Sequence, residues 1–154
     1  MPVIWLNGTV GCGKTAVGRA LVALLPDAHF LDGDDFAAQG AGLPAARWRA
    51  AVTALLRRVR RPGRAKVQVI AYPLTAADFA RLRAACRQRL IVINLATPLP
   101  LVVRGRGPRR LTEADCRRAR QMRSQAYHRR RFASATLPNA QHPPRRTALQ
   151  IARL

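Results

Sequence analysis

The sequence predicts an α/β fold of three layers, in which a parallel, five-stranded sheet is covered by helices on both faces. Short apolar segments alternate with helical patterns along all 154 residues, and this alternation is typical of parallel sheets whose strands are connected by helices. The predicted strands cover residues 2–6, 28–31, 65–71, 90–95 and 133–137. The length and the absence of a linker predict a single domain over residues 1–154.

The helices are predicted from apolar residues that recur at a spacing of three or four. They cover residues 14–25, 45–60, 76–87, 98–103, 113–131 and 145–154. Two helix starts carry a Thr followed three residues later by Asp, which is the spacing of a capping pair: Thr75 with Asp78, and Thr112 with Asp115. A loop is expected over residues 36–46.

The chain is strongly basic, with a formal net charge of +21. Lys14 and Lys66 are the two lysines among 28 basic residues, so the other 26 are arginines. Most of these arginines are expected to do no more than solvate the surface, because such a bias is typical of genome composition. An anionic partner, either nucleic acid or a phosphorylated ligand, is the alternative explanation.

Composition also excludes several classes of protein. The three cysteines are widely spaced, which predicts reduced thiols in a cytoplasmic protein rather than a disulfide framework or a zinc site. No apolar run is long enough to span a membrane. The N-terminus begins with a strand-like segment and lacks the features of a signal peptide.

Residues 8–15, Gly-Thr-Val-Gly-Cys-Gly-Lys-Thr, match the phosphate-binding pattern G-x-x-x-x-G-K-[ST] at every fixed position. The segment follows a predicted strand and opens a helix, as the motif requires. Its backbone N–H groups and the helix N-terminus attract phosphate. Lys14 is expected to reach the β- and γ-phosphates, and the Thr15 hydroxyl to ligate Mg²⁺. Nucleotide contacts are predicted for Gly8, Gly11, Cys12, Gly13, Lys14, Thr15 and Ala16.

Three of the seven acidic residues lie in Asp32-Gly33-Asp34-Asp35, directly after the second predicted strand. Carboxylates this close repel one another unless a cation or a proton-transfer role holds them together. Ligands of parallel sheets bind outside the carboxyl ends of the strands. The sequence therefore predicts one site at that edge, formed by the phosphate loop, the acidic cluster and Tyr72-Pro73 after the third strand.

With these motifs the chain resembles the small P-loop kinases of the shikimate, gluconate and adenylylsulfate kinase group. The resemblance rests on residues 8–15, on Leu31-Asp32-Gly33-Asp34, and on an arginine-rich lid at about residues 104–112. The opening Val3-Ile4-Trp5-Leu6-Asn7-Gly8 is also similar to ATP-binding proteins of the tunicamycin-resistance type. The resemblance covers most of the chain and implies the P-loop NTPase fold.

The resemblance implies ATP- and Mg²⁺-dependent phosphoryl transfer to a hydroxyl of a small molecule, with antibiotics and natural-product intermediates among the expected acceptors. Asp32 would hold Mg²⁺ through water beside Thr15, and Asp34 would accept the proton of the acceptor hydroxyl. One lid arginine would close over the phosphoryl group, from the set Arg104, Arg106, Arg109 and Arg110, with Arg104 and Arg110 as the catalytic candidates. The candidate substrate-binding residues are Asp34, Arg47, Arg49 and Tyr72.

Departures from the family pattern leave the acceptor open. The Gly-Gly-Gly that follows strand three of shikimate kinases and the His-Pro of gluconate kinase are both missing. A nucleoside or nucleotide kinase is one alternative, because a basic lid suits a phosphorylated acceptor. A nucleotide-dependent nucleic-acid-binding protein is another, suggested by the basic segment 117–131, although only Tyr127 and Phe132 lie nearby for base stacking.

Overall fold

The computed structural model describes residues 2–39, 42–61, 63–86, 89–105, 110–140 and 143–154. Within these residues, five parallel strands form a sheet in the order β2-β3-β1-β4-β5. The predicted five-stranded parallel sheet is confirmed. The strands are β1 (Val3–Asn7), β2 (Ala28–Asp32), β3 (Val67–Ala71), β4 (Leu90–Ala96) and β5 (Ala135–Pro138).

Helices follow the strands along the chain and cover both faces of the sheet. No helix in the described part of the chain is both long and apolar enough to cross a membrane. The helices are α1 (Lys14–Val22), α2 (Gly33–Ala38), α3 (Pro44–Arg60), α4 (Ala76–Ala85), α5 (Leu99–Arg104), α6 (Glu113–Ser124) and α7 (Pro144–Ala152), with a short 3-10 helix at Tyr127–Arg129.

The core is divided by the sheet into two apolar layers, as expected when helices cover both faces. On one face, Trp5 and Ile70 pack with side chains of α3 and α4, such as Leu55 and Leu82. On the other face, side chains of β1 and β4 pack with those of α1 and α7, including Leu6, Ile93, Leu95, Val17, Leu21 and Ile151. The predicted three-layer architecture is therefore confirmed.

Two elements differ from the sequence expectation. The short helix α2 lies partly inside the segment expected to be a loop, because the Asp32 carboxylate caps it by accepting from the Asp34 backbone N–H at 3.1 Å. Helix α6 ends at Ser124 rather than near residue 131. There the chain turns through Ala126, whose φ of 58° is left-handed, and this turn leads the buried Tyr127 into the protein interior.

A buried asparagine at the end of β1 fixes the loop that follows β3. The Asn7 amide donates to Asn94 Oδ1 at 2.8 Å and to the Tyr127 carbonyl at 2.9 Å, and its own oxygen accepts from the Leu74 N–H at 2.9 Å. Buried polar groups are stable only when they are paired in this way. The Asn7 network therefore holds the segment after β3 against the carboxyl edge of the sheet, where the candidate site lies.

Candidate active site

A cavity of about 720 Å³ opens at the carboxyl edge of the sheet. Its walls come from the phosphate loop, the first turns of α1, the end of β2 with α2, the start of α3, and the residues flanking segment 106–109. The cavity thus brings together the phosphate loop and the acidic cluster, which the sequence predicts to share one edge. It is lined by Val10, Gly11, Gly13, Lys14, Thr15, Ala16, Arg19, Asp32, Asp34, Asp35, Ala37, Ala38, Arg47, Pro73, Val102, Gly105, Leu111 and Asp115.

The phosphate loop curls around the N-terminus of α1. Gly13 has a φ of 95°, a left-handed conformation that favours glycine, and a Cβ built there would lie 2.8 Å from Asn139 Nδ2. Lys14 is the first residue of α1, and its Nζ donates to the Thr9 carbonyl at 2.7 Å and to the Gly8 carbonyl at 3.3 Å. The ammonium charge is therefore held over the loop, close to the positive end of the helix dipole.

Buried side chains from outside the loop hold its backbone in place. The carbonyl of Cys12 accepts from Asn139 Nδ2 at 2.7 Å and from Thr97 Oγ1 at 3.0 Å, and all three residues are buried. Asn139 is oriented in turn by the Thr147 hydroxyl, which donates to Asn139 Oδ1 at 2.9 Å. Sequence reasoning missed Asn139 and Thr97, although both directly follow strands at the edge where the site was expected.

Replacing Asn139 with alanine is expected to weaken binding of ATP, the nucleotide that the sequence resemblance implies, by about tenfold. It should also destabilise the fold by about 1–3 kcal/mol, because the Cys12 carbonyl and the Thr147 hydroxyl each lose a buried partner. Calorimetric titration with ATP and urea unfolding measure the two effects. Thr147→Val is the matched control, since it removes a hydrogen bond of the same network but leaves the contact with Cys12. Equal loss of ATP affinity in both variants would show that Asn139 acts through general stability.

Thr15 and Asp32 meet at the base of the cavity. Thr15 Oγ1 donates to Asp32 Oδ2 at 2.7 Å, so the first turn of α1 is joined to the end of β2. A hydroxyl and a carboxylate oxygen side by side fit Mg²⁺, which needs only one or two protein ligands when it also binds phosphates. A cluster of three or more His, Cys, Asp or Glu side chains suited to a metal ion does not occur in the described ranges.

Asp34 and Asp35 occupy the first turn of α2, where both are exposed and line the cavity. Beneath them, the Tyr72 ring packs directly against Gly33, where any Cβ would collide with the ring. Tyr72 is buried, and its ring centroid lies 4.9 Å from that of Trp48. Burial, followed by the negative charge of Asp34, raises the pKa of Tyr72 to about 12. Tyr72 therefore stays a neutral phenol near the acidic cluster.

The raised pKa of Tyr72 predicts a loss of stability at alkaline pH. The native state keeps the phenolic proton up to about pH 12, whereas the unfolded chain releases it near pH 10.0. The contribution of the Tyr72 proton to the free energy of unfolding is thus complete below pH 10.0, and it is lost as the pH rises toward 12. We expect the free energy of unfolding to fall in this window by about 2–3 kcal/mol more in the wild type than in Tyr72→Phe. Urea unfolding of both proteins tests this, and equal falls would contradict it.

The arginines predicted for the site differ in whether they line the cavity. Arg47 lines the cavity, and its Nε donates to the Ala37 carbonyl at 3.1 Å, which joins α3 to α2. Arg49, Arg104 and Arg110 are exposed and are not among the described residues that line the cavity. The two other predicted lid arginines, Arg106 and Arg109, lie outside the described residues.

Apolar side chains on either side of segment 106–109 contact the phosphate loop, which the sequence did not predict. A Cβ built at Gly11 would lie 2.9 Å from Leu111 Cδ1 and 3.0 Å from Val102 Cγ1. Both side chains line the cavity, as does Asp115 in the first turn of α6. The sequence feature that could have indicated this contact is the presence of apolar residues, Val102 and Leu111, on both sides of the arginine-rich segment.

The chain is similar to solved structures of small-molecule kinases over almost its full length. A shikimate kinase from Acinetobacter baumannii is 28% identical, with a TM-score of 0.70 over 99% of this chain and 92% of that chain. A gluconokinase from Sinorhizobium meliloti is 20% identical, with a TM-score of 0.72 over 99% and 92%. An APS kinase from Mycobacterium tuberculosis is 18% identical, with a TM-score of 0.73 over 99% and 95%.

The resemblance to the small P-loop kinases that the motifs predict is confirmed, and the fold is the P-loop NTPase fold. A tunicamycin resistance protein from Deinococcus radiodurans shares this fold, at 19% identity and a TM-score of 0.62. No protein-family model and no curated protein matches the chain.

Proposed function

We propose that this protein is an ATP- and Mg²⁺-dependent phosphotransferase that phosphorylates a hydroxyl group of a small molecule. The observation that carries the proposal is the hydrogen bond between Thr15 and Asp32, which lies in one cavity with Lys14 and Asp34. This cavity offers separate groups for nucleotide phosphates, a divalent cation and an acceptor hydroxyl. The similar solved structures of a shikimate kinase, a gluconokinase and an APS kinase support the same chemistry.

The nucleotide would bind with its phosphates against the loop and the N-terminus of α1. Lys14 Nζ now donates to the Thr9 and Gly8 carbonyls, and it would exchange these for oxygens of the β- and γ-phosphates. Thr15 and Asp32 would hold Mg²⁺, which when bound neutralises negative charge on these phosphates. Asn139 and Thr97 donate to the Cys12 carbonyl in the interior, so its partial negative charge is held there by two donors.

The transfer step needs a correctly placed acceptor and a group to take its proton. The acceptor oxygen forms a bond to the γ-phosphorus while the bond between that phosphorus and the β,γ-bridging oxygen breaks, and ADP leaves with the electron pair. The hydroxyl proton passes to an Asp34 carboxylate oxygen, which lines the cavity with Lys14. Arg47 on the neighbouring wall favours an acceptor that carries an anionic group.

The test is a turnover screen with ATP, Mg²⁺ and a library of sugar acids, nucleosides, nucleotides and hydroxylated antibiotics. Antibiotics belong in the library because a tunicamycin resistance protein shares the fold. We expect ADP release to increase with one acceptor class, and mass spectrometry to find one added phosphoryl group on that acceptor. ATP hydrolysis that no acceptor stimulates would overturn the proposal.

Replacing Thr15 with valine is expected to raise the Mg²⁺ concentration needed for half-maximal activity by at least about tenfold, the scale seen when groups around a metal ion are removed. Valine keeps the shape of threonine but removes the hydroxyl that contacts Asp32. Thr15→Ser keeps this hydroxyl and serves as the control. A Mg²⁺ titration measures the effect, and an unchanged midpoint in Thr15→Val would exclude the hydroxyl as a ligand.

A further inference from the structure

Acidic side chains are distributed unequally between the two edges of the sheet. At the edge where strands begin and helices end, Asp27 is the one acidic residue, and it pairs with Lys66 at 2.8 Å. The other six of the seven acidic residues lie at the opposite edge, which holds the cavity: Asp32, Asp34, Asp35, Asp78, Glu113 and Asp115.

Exposed arginines are concentrated at the edge of the sheet where the strands begin. We call this surface the basic edge. Its arginines come from the last turn of α3, the segment before β3, the last turn of α4, the segment before β4, and the end of α7. Arg89 Nη2 lies 3.5 Å from the Leu154 carbonyl, which places the end of α7 next to the start of β4. The basic edge comprises Arg57, Arg58, Arg60, Arg61, Arg64, Arg83, Arg89 and Arg153.

Helix capping does not account for this density of charge. A cation in the last turn of a helix interacts favourably with the helix dipole. The end of α3, however, carries Arg57, Arg58 and Arg60, with Arg61 and Arg64 following closely. Neighbouring like charges destabilise a compact protein by repulsion, and an anionic partner would relieve that repulsion.

We propose that the basic edge binds the phosphate backbone of double-helical nucleic acid. Guanidinium groups bind phosphate oxygens through paired hydrogen bonds. A duplex carries one negative charge per ~1.7 Å of its axis. Strands β3 and β4 are separated by β1, so Arg64 and Arg89 precede strands roughly 10 Å apart, a distance over which a duplex presents several phosphates.

The other surface residues favour a duplex over other polyanions. None of the eight Trp, Tyr and Phe side chains is exposed, so the aromatic platforms that bind unpaired bases are missing. Among the described residues, the exposed large apolar side chains are Leu43, Leu149 and Leu154. Leu43 lies at the start of α3 and Leu149 lies in α7. Leu154 follows α7 and is the one of these three beside the basic edge, and a single leucine is too small an apolar patch to insert into a membrane.

Binding to the phosphate backbone of a nucleic acid has no preference for base sequence, and its affinity falls steeply as the salt concentration rises. It would also leave the cavity free, because the cavity lies at the opposite edge of the sheet. The binding is therefore independent of the proposed phosphotransferase activity, and either can fail without the other.

The experiment measures fluorescence anisotropy of a labelled mixed-sequence DNA duplex, the matching RNA duplex and the single strand over a series of salt concentrations. The test variant is the triple change Arg58→Gln, Arg61→Gln and Arg64→Gln. The matched control removes the same charge from exposed arginines elsewhere, with Arg120→Gln, Arg145→Gln and Arg146→Gln. A second test variant, Arg83→Gln with Arg89→Gln, examines the same edge independently, and circular dichroism with thermal unfolding checks that every variant folds.

We expect the wild type to bind both duplexes with similar affinity and more tightly than the single strand. Because each phosphate contact adds roughly 0.9 to the slope of log affinity against log salt, the triple test variant should lower that slope by about 2–3 and weaken binding at least tenfold. The control triple should change affinity by about twofold or less, as expected if its arginines lie off the bound face. Equal weakening by the two triples, absence of duplex binding at low salt, or tighter binding to anionic phospholipid vesicles would each overturn the proposal.

Discussion

Replacing Lys14 with methionine is expected to lower kcat/KM by about 100- to 1000-fold, the cost of removing one preorganised donor from a site where negative charge develops. The Lys14 ammonium lies over the phosphate loop, where it contacts the Thr9 and Gly8 carbonyls at the start of α1. Methionine preserves the length and apolar stem of the side chain but provides no charge. Steady-state kinetics with ATP as the varied substrate measure the effect.

Two lysine-to-arginine variants control for charge. Lys14→Arg keeps the charge but replaces a compact ammonium with a planar guanidinium, so it should remain strongly impaired. Lys66→Arg should behave as wild type, because Lys66 is exposed and pairs with Asp27 away from the cavity. Full activity in Lys14→Arg would show that any cation at this position suffices, and near-normal activity in Lys14→Met would contradict the proposed role.

Much of the site follows from local patterns in the sequence. The phosphate loop has fixed spacing, and the acidic cluster follows a short strand. Once the strands are known to be parallel, both motifs must therefore lie at the carboxyl edge of the sheet. Thr15 and Asp32 are 17 positions apart, yet their side chains lie 2.7 Å apart. Their common edge could be predicted because parallel strands end on the same side of a sheet. Their direct contact could not, because it depends on how α1 packs over β2 and β3.

The residues that support the site were beyond prediction for the same reason. Asn139 meets the Cys12 carbonyl across 127 positions of sequence, and no local period encodes a contact of that range. From the sequence, Gly33 has no predicted role beyond its place in the acidic motif, whereas the structure shows that it makes room for the Tyr72 ring. The break at Ala126 interrupts a segment with good helical pattern, because burying Tyr127 near Asn7 favours a turn there. In each case tertiary packing decided the outcome over local propensity.

Replacing Asp34 with asparagine is expected to lower kcat by about 100- to 10,000-fold, the range for loss of a general base. Asparagine has nearly the same shape as aspartate but does not accept a proton at neutral pH. The backbone of α2 should be preserved, because its cap is the contact between the Asp34 N–H and Asp32 Oδ1 rather than the Asp34 side chain. The KM for ATP should change little, since the loop and Lys14 are the groups proposed to bind the phosphates.

Asp35→Asn is the matched control for Asp34→Asn. Asp35 lies in the same turn of α2 and lines the same cavity, so its loss changes the charge of the site by the same amount. If Asp34 accepts the proton, only Asp34→Asn should lose most of its kcat, and Asp35→Asn should lose about threefold or less, as expected when only an exposed charge is removed. Equal losses in the two variants would mean that the acidic cluster acts through its total charge, and a different proton acceptor would then be required.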